Sequence, residues 1–532
     1  MTLIARSRAS PGGEALDRLS RRAAMLALAS LFGGAARATS PPASSVSRLQ
    51  GTGYPFRLGV ASGMPRPGSV VLWTRLAPAP HAVDGGLPVA TIDVGWEIAE
   101  DEHFQRGRRS GSMPARPEHG HSVHVEVDGL RAATAYFYRF TAGAAQSAVG
   151  RTRTAPAAPT RVDRLRIALA SCQHYEQGSF VAHREIAARE LDFVLFVGDY
   201  IYESSNPRLR LRRHEGPAPF TLAAYRARHA TYKLDPDLQA AHAAHPWVLT
   251  WDDHEVENDY AGDFSPSGLT AAQFLQRRAA AYKAYFEHLP VAPSMAPQAA
   301  AMRIHDRFVW GDLAELWTLD NRQFRDPPAC DAAVERAPAV ACDTLDAPSR
   351  SRFGLAQEGW LADGLAASGR RWQLLGQGSQ ISAARDPTDP RRRIPLDGWD
   401  GYPAARRRLL ESIAKSGRGD VLCLGGDVHR NVAAQLRVVA GDPASPIVAS
   451  EFVCTSISSR ATVTPRLATM LAAHPDIEHA RGDERGYALI EIDRRQARCD
   501  FRATASPALD TSRLSTQARF VVDAGRPGVR PD

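Results

Sequence analysis

No stretch after the first 40 residues of this 532-residue chain is long and apolar enough to cross a membrane, which takes about 20 residues, so no integral span is expected. A one-sided charge is also missing. Lys and Arg number 65 against 58 Asp and Glu, and the arginines are spread along the chain. A nucleic-acid binder gathers its positive charge into a patch or stripe, so no dedicated nucleic-acid binding is expected and a mixed, solvated surface replaces it. Long polar tracts are absent, and 44% hydrophobic with 8% aromatic residues gives no signature of disorder. No internal repeat is visible. The six cysteines are too few to dominate the fold. The length instead asks for two or more domains with at least one large core.

Residues 1–38 read as a targeting segment. Ser20, Arg21 and Arg22 precede AAMLALASLFGGAA, and Ala36 to Ala38 (ARA) supply a small-residue cleavage site. The paired arginines point to the twin-arginine export machinery. The Phe often found two residues later is absent, which keeps a general secretory signal as the alternative. The mature chain is expected to be soluble, monomeric, and periplasmic or secreted. In that oxidising setting Cys330 and Cys342, bracketing CDAAVERAPAVAC, form a local disulfide. Cys423 and Cys454 lie in apolar runs and read as buried hydrophobes. Cys499 sits in a late strand.

Residues 50–155 read as all-β. SVVLWTRL, ATIDVGWEIA, HSVHVEVDGL and TAYFYRFTAG alternate in character between Gly, Pro and Asp turns, the pattern of a small sandwich resembling fibronectin type III. TAPAAPTRVD is a linker. From 164 to 505 continuous apolar runs such as LRIALASC, LDFVLFVGD and DVLCLGG alternate with helical stretches, giving an α/β fold of layered mixed sheets flanked by helices. GYALIEID and QARCDFRA suggest a hairpin. Residues 506–532 read as a C-terminal tail, and the last twenty of them, polar and Pro-containing, as a tail or a surface strap.

Several apolar runs end in residues able to bind a cation. LRIALASC ends in Cys172, and FVLFVGDYIY in Asp199 with Tyr202 beyond. WVLTWDDHEVEND ends in Asp252, Asp253 and His254, then Asn258 and Asp259. VLCLGGDVHRN ends in Asp427 and His429. Taken singly, each has a plain reading, because an Asp after a strand commonly caps a helix or forms a turn. Together they converge, since ligands of α/β sheets gather beyond the carboxyl ends of strands. Carboxylates crowded in one place repel unless positive charge holds them, so bound metal ions are expected. Asp and Asn oxygens suit hard divalent ions such as calcium, magnesium or manganese. A Cys thiolate with a Tyr phenolate suits iron(III), because the phenol, with an ordinary pKa of about 10, ionises there only beside a strongly charged cation.

As an ordered set, RLGVASGMPRPGSVVLWTRLAP, ASCQHYEQGSF, LDFVLFVGDYIYE, TWDDHEVENDYAG, LDNRQFRD, LDGWDGYPAARRRLL and GGDVHRN resemble the alkaline phosphatase D (PhoD-like) family of the calcineurin-like metallophosphoesterase class, over residues 55–505. The resemblance implies an N-terminal β domain, a twin-arginine signal, and a site using Fe(3+) and Ca(2+). It implies Cys172 in place of the Asp of a D-x-H motif, Asp199 as bridging carboxylate, and Tyr202 as phenolate ligand. Asp253 and His254 stand at the G-N-H-E motif, and Asp427 and His429 at G-H-x-H. Asn258 is a further ligand by position, with Asp259 as the alternative.

The expected chemistry is direct in-line attack on phosphorus by metal-activated hydroxide on phosphate mono- or diesters. His254 either stabilises the transition state or protonates the leaving group, and Arg322 either contacts phosphate or forms a structural ion pair. DGWDGY and WTRL read as packing or interface elements, the first also as site lining. RLRLRRHEG, residues 208–216, is a solvated loop or a lid for anionic substrates. Three other readings stay open: a phospholipase D-type lipid phosphodiesterase, a surface binding protein with structural metals, and an iron oxidase.

Overall fold

The computed structural model describes residues 53–205, 210–330, 339–385, 393–460, 467–505, 507–508 and 510–532. The expected targeting segment lies outside them, as does the start of the basic run at 208. The continuous apolar runs do form buried strands. Arg164–Ala170, Phe193–Val197, Pro246–Thr250 and Val60–Gly63 pair in parallel at the centre of a ten-stranded sheet. Ala314–Thr318, Trp372–Gly376, Val421–Gly425 and Ile447–Val453 form the parallel centre of a seven-stranded sheet. One apolar core joins the two sheets, with Leu195, Phe196 and Val248 from the first and Leu316, Leu374, Leu422 and Phe452 from the second. The helices Leu355–Ala367 and Pro403–Lys415 cover the outer face of the second sheet through Leu361, Leu365, Leu409 and Ile413. Leu222–Lys233 and Ala271–His288 contribute Tyr225, Tyr232, Tyr282 and Tyr285 to the large core. Ala271–His288 starts at a full capping box of Thr270 and Gln273, in which each side chain accepts the other residue's backbone N–H.

The N-terminal β region is less separate than its strand pattern suggests. Ile92–Ala99, Arg109–Ala115 and Ala135–Ala142 build a sheet of their own. Val60–Gly63, Val70–Arg75 and Ser122–Val127 instead extend the ten-stranded sheet. A core including Val70, Leu72, Val94, Val125, Tyr138 and Phe140 fills the space between these two groups of strands. Trp73 of WTRL is a packing residue: it is fully buried and donates from Nε1 to the Glu287 carbonyl (3.2 Å).

The closing hairpin forms as Arg485–Asp493 paired with Gln496–Thr504. The tail expected over residues 506–532 does not hold. Ser515–Asp523 and Arg526–Pro531 are strands that finish the ten-stranded sheet. Phe520, Val521 and Val522 are buried there, a short apolar run masked in sequence by its polar neighbours. The Cys330–Cys342 disulfide is present, with Cα atoms 5.5 Å apart, and Cys423, Cys454 and Cys499 are buried.

Candidate metal centre

The strands Arg164–Ala170, Phe193–Val197, Pro246–Thr250 and Val421–Gly425 each stop one or two residues before a residue of the site. The chain then turns sharply. Cys172, Asp199, Asp427 and His429 all adopt left-handed backbone conformations, with φ of 59°, 59°, 67° and 51°. A non-glycine residue there carries a steric cost, and such outliers cluster where geometry is fixed for function. Two glycines let the loops close up. A Cβ on Gly198 would lie 2.5 Å from Asp252 Cβ, and one on Gly426 would lie 2.4 Å from Ser171 Oγ.

Two sets of donors meet. Cys172, Asp199 and His429 bring ligand atoms within 4.8 Å of one another, as do Asp199, Asp253 and His254. Tyr202 joins the first set. Its hydroxyl donates to Asp199 Oδ2 (2.8 Å) and lies 3.1 Å from His429 Nε2. The phenol ring sits between His174 and His254, with ring centroids 4.5 and 4.0 Å away. His429 Nδ1 faces the Arg460 carbonyl at 2.9 Å. That bond fixes the tautomer and leaves Nε2 for the site. Tyr200 has the packing role expected of it: it is buried, with its hydroxyl 2.8 Å from His242 Nε2.

The other side is almost all carboxylate. Asp253, Asp259 and Asp397 group within the same distance. Of the pair left open in sequence, Asp259 is the one grouped with other acids, while Asn258 gives its backbone N–H to Glu203 Oε1 (3.1 Å). Asp427 accepts from Ser379 Oγ (3.1 Å). Arg322 is fully buried and committed to carboxylates. It bonds Asp252, grips Asp397 with both Nη atoms (2.7 and 3.0 Å), and lies 3.5 Å from Asp253. Its geometry is therefore the ion-pair alternative.

The electrostatics follow from this crowding. Burial, then Asp253, Asp252 and Glu255, push Asp199 well above its ordinary value, although His254 opposes them. Burial, then Asp252, Asp397 and Asp253, do the same to Asp427. Burial and Asp199 raise both the Cys172 thiol and the Tyr202 phenol. His254 goes the other way. Burial alone would lower it, but Glu203, Asp253 and Asp199 overcome that and hold it protonated well above its usual range. Glu203 makes the direct contact, 2.6 Å from His254 Nδ1.

The donor set fits hard cations. Asp199 Oδ1 and Asp252 Oδ2 are buried with no hydrogen-bond partner among the described residues, and a buried carboxylate oxygen left bare is expensive. Several residues that build the site escaped the sequence reading. Glu255 accepts backbone N–H groups from Asp199, Tyr200 and Asp252 (3.1, 2.6 and 3.0 Å), clamping two loops together. Glu203 was missed as well, whereas Asp397 opens DGWDGY, for which site lining was one of the expected roles. All three lie inside stretches already singled out, IYE, DDHE and LDGWD, and the available signal was a charged residue beside a strand-end motif.

A cluster of candidate cation ligands at converging strand ends, beside a histidine whose pKa its carboxylate neighbours raise, suits hydrolysis of phosphate esters, and comparison with known proteins agrees. The model of the PhoD-like phosphatase family matches residues 167–501, and that of the PhoD-like phosphatase N-terminal domain matches residues 41–156. The chain is 40% identical over 485 residues to alkaline phosphatase D of Bacillus subtilis (strain 168), covering 90% of this chain and 82% of that protein. It also matches a solved structure of PhoD at 39% identity and a TM-score of 0.86, covering 90% of this chain and 92% of the other. The molecule is a phosphoric ester hydrolase. Within that class, the chain belongs to the PhoD-like phosphatase family.

Proposed function

We propose that this enzyme hydrolyses phosphate mono- and diesters at a centre holding Fe(3+) and Ca(2+). The observation that carries the reading is the meeting of Cys172, Asp199, Tyr202 and His429, three of them in left-handed backbone, with the Asp253 carboxylate group adjoining through Asp199. Cys172, Asp199, Tyr202 and His429 would hold the iron, since thiolate and phenolate suit a strongly charged ion. Asp199, Asp253, Asp427 and the Asn258–Asp259 pair would hold calcium through oxygen. When bound, such ions neutralise phosphoryl oxygens and acidify water.

The rest falls to the chain's own residues. His254, with Nδ1 turned to Glu203, keeps its Nε2 proton to give to the leaving oxygen or to stabilise negative charge developing there. Arg322 holds Asp252, Asp253 and Asp397 in place and helps hold Asp253 and Asp397 below the usual carboxylate range. Glu255 fixes the loops that present Asp199 and Asp252.

We read the facing sheets as the calcineurin-like layered architecture and the N-terminal β layers as a fibronectin III-like sandwich. The separate core of the latter supports this. Residues 1–38 are read as a twin-arginine export signal, and the enzyme as a periplasmic or secreted monomer. The Cys330–Cys342 disulfide supports an oxidising compartment. Among the described residues no helix is long and apolar enough to cross a membrane.

The test is metal analysis of the purified protein with assays on p-nitrophenyl phosphate and bis-p-nitrophenyl phosphate, with and without a chelator. Iron and calcium should be present, and the chelator should abolish hydrolysis of both esters. Full activity in iron-free protein would remove the Cys172–Tyr202 assignment.

A further inference from the structure

Behind the metal centre lies a second buried polar cluster, opposite in sign. The helix Leu222–Lys233 carries Arg228, His229 and Lys233, none more than 1% exposed. Arg228 turns toward the metal loop and donates from Nη1 to the carbonyls of Tyr202 and Glu203. His229 and Lys233, four residues apart, share another face of the helix. The Lys233 ammonium lies 4.2 Å from the centroid of the Trp73 ring. The His229 ring stacks on His288 at 4.9 Å, and His288 Nε2 is 2.5 Å from Arg75 Nη1.

The unmet needs of this cluster are nearly all donors. Lys233 Nζ, Arg75 Nη2, Tyr285 Oη and both ring nitrogens of His229 are buried with no hydrogen-bond partner among the described residues. The Tyr285 ring meets that of His229 at 6.2 Å. Glu287, the carboxylate beside Arg75, is gripped by Arg226 at two distances of 2.6 Å. A buried cation with no counter-charge is among the costliest groups a fold can hold. Burial accordingly pulls Lys233 well below its ordinary range.

We propose that Lys233, His229, Arg75 and Tyr285 form a buried binding site for a halide-sized monovalent anion. Trp73, Arg75, His229, Tyr285 and His288 are each at most 1% exposed, and this enclosure favours a single atom over a polyatomic oxyanion. The anion supplies the missing acceptor and keeps Lys233 an ammonium. It also ties the strand Val70–Arg75 to the helix whose Arg228 braces the metal loop. None of this depends on which ester the enzyme cleaves.

The test uses the metal-loaded full chain, melted at constant ionic strength in sodium chloride, sodium bromide or sodium gluconate, together with anomalous diffraction from crystals soaked in bromide. Binding to the native state alone raises Tm with ligand concentration. Chloride and bromide should therefore raise Tm saturably by several degrees over gluconate, and a bromide peak should stand beside Lys233 Nζ. Lys233→Met keeps an apolar chain over Trp73 and should lose the halide increment. Equal melting in the three salts with no bromide peak at this place is the outcome of a water-filled site, and it overturns the proposal. A halide increment that survives in Lys233→Met overturns it too. If that variant does not fold, the salt comparison and the anomalous map of the unaltered protein decide alone.

Discussion

The two halves of the metal centre share a scaffold but not a chemistry. On the Asp253–Asp259–Asp397 side, the charge of Asp253 and Asp397 is set before any cation arrives, while burial, Asp397 and Asp253 push Asp259 up to about 7. Arg322 and Arg325 outweigh burial and hold Asp397 far below the usual carboxylate range. Arg322 and His254 likewise outweigh burial at Asp253. On the Cys172–Tyr202 side no cation among the described residues plays that part. Burial and Asp199 push both the thiol and the phenol up, so these donors keep their protons until a strongly charged ion displaces them. The first half is preorganised by arginine, whereas the second is completed by its ligand. Cation affinity in the second half should therefore weaken as pH falls, because binding there must release protons.

Asp199 belongs to both halves, grouping with Cys172 and His429 and also with Asp253 and His254. Asp199→Ala should erase the distinction, with both ions lost together. The charge stabilisation that metals supply is several kcal/mol. At about 1.4 kcal/mol per tenfold, kcat should fall by at least about 10³. Elemental analysis beside steady-state kinetics checks this, and retention of both ions with kcat within tenfold would refute the shared role.

His254 sits where the halves meet, and His254→Ala should separate chemistry from metal holding. The loss of a positioned acid costs kcat about 10²–10⁴, while iron and calcium content stays near that of the unaltered enzyme. Unchanged kcat would sink the role.

Cys172→Ser addresses one half alone. Serine keeps the size but not the soft, ionisable donor. Iron content should drop at least about tenfold while calcium is retained, and parallel loss of both ions would show the halves to be one unit.

The sequence made the donor half of this site readable because its residues follow long apolar strands. Cys172, Asp199, Asp253 and Asp427 are all placed by the ends of runs such as LRIALA and VLCLG. The supporting shell was less legible, for a physical reason. Glu255 and Asp397 act through contacts fixed only once separate loops meet, and a lone acid in a loop looks like any turn or cap residue. The closing strand had the same problem. Gln517 bonds Asn431 at 2.9 Å, two residues beyond His429, a link spanning 86 positions that no local pattern announces. Strand pattern also could not tell which sheet Val70–Arg75 would join, because both faces of that strand are buried.

Glu203→Gln gives the smallest expected effect and the finest probe of the comparison, because it touches neither half directly. The amide keeps an oxygen for the Asn258 N–H but removes the charge 2.6 Å from His254 Nδ1. With burial unopposed by that charge, the raised His254 moves down toward its ordinary range. Because either role proposed for His254 needs its proton, the alkaline limb of kcat should shift to lower pH. Changes to groups that orient an active residue typically cost about 10–100-fold, so kcat at alkaline pH should fall by that order and recover as pH is lowered. A uniform loss at every pH, with unmoved limbs, would mean that Glu203 acts on the fold of the loop and not on the proton of His254.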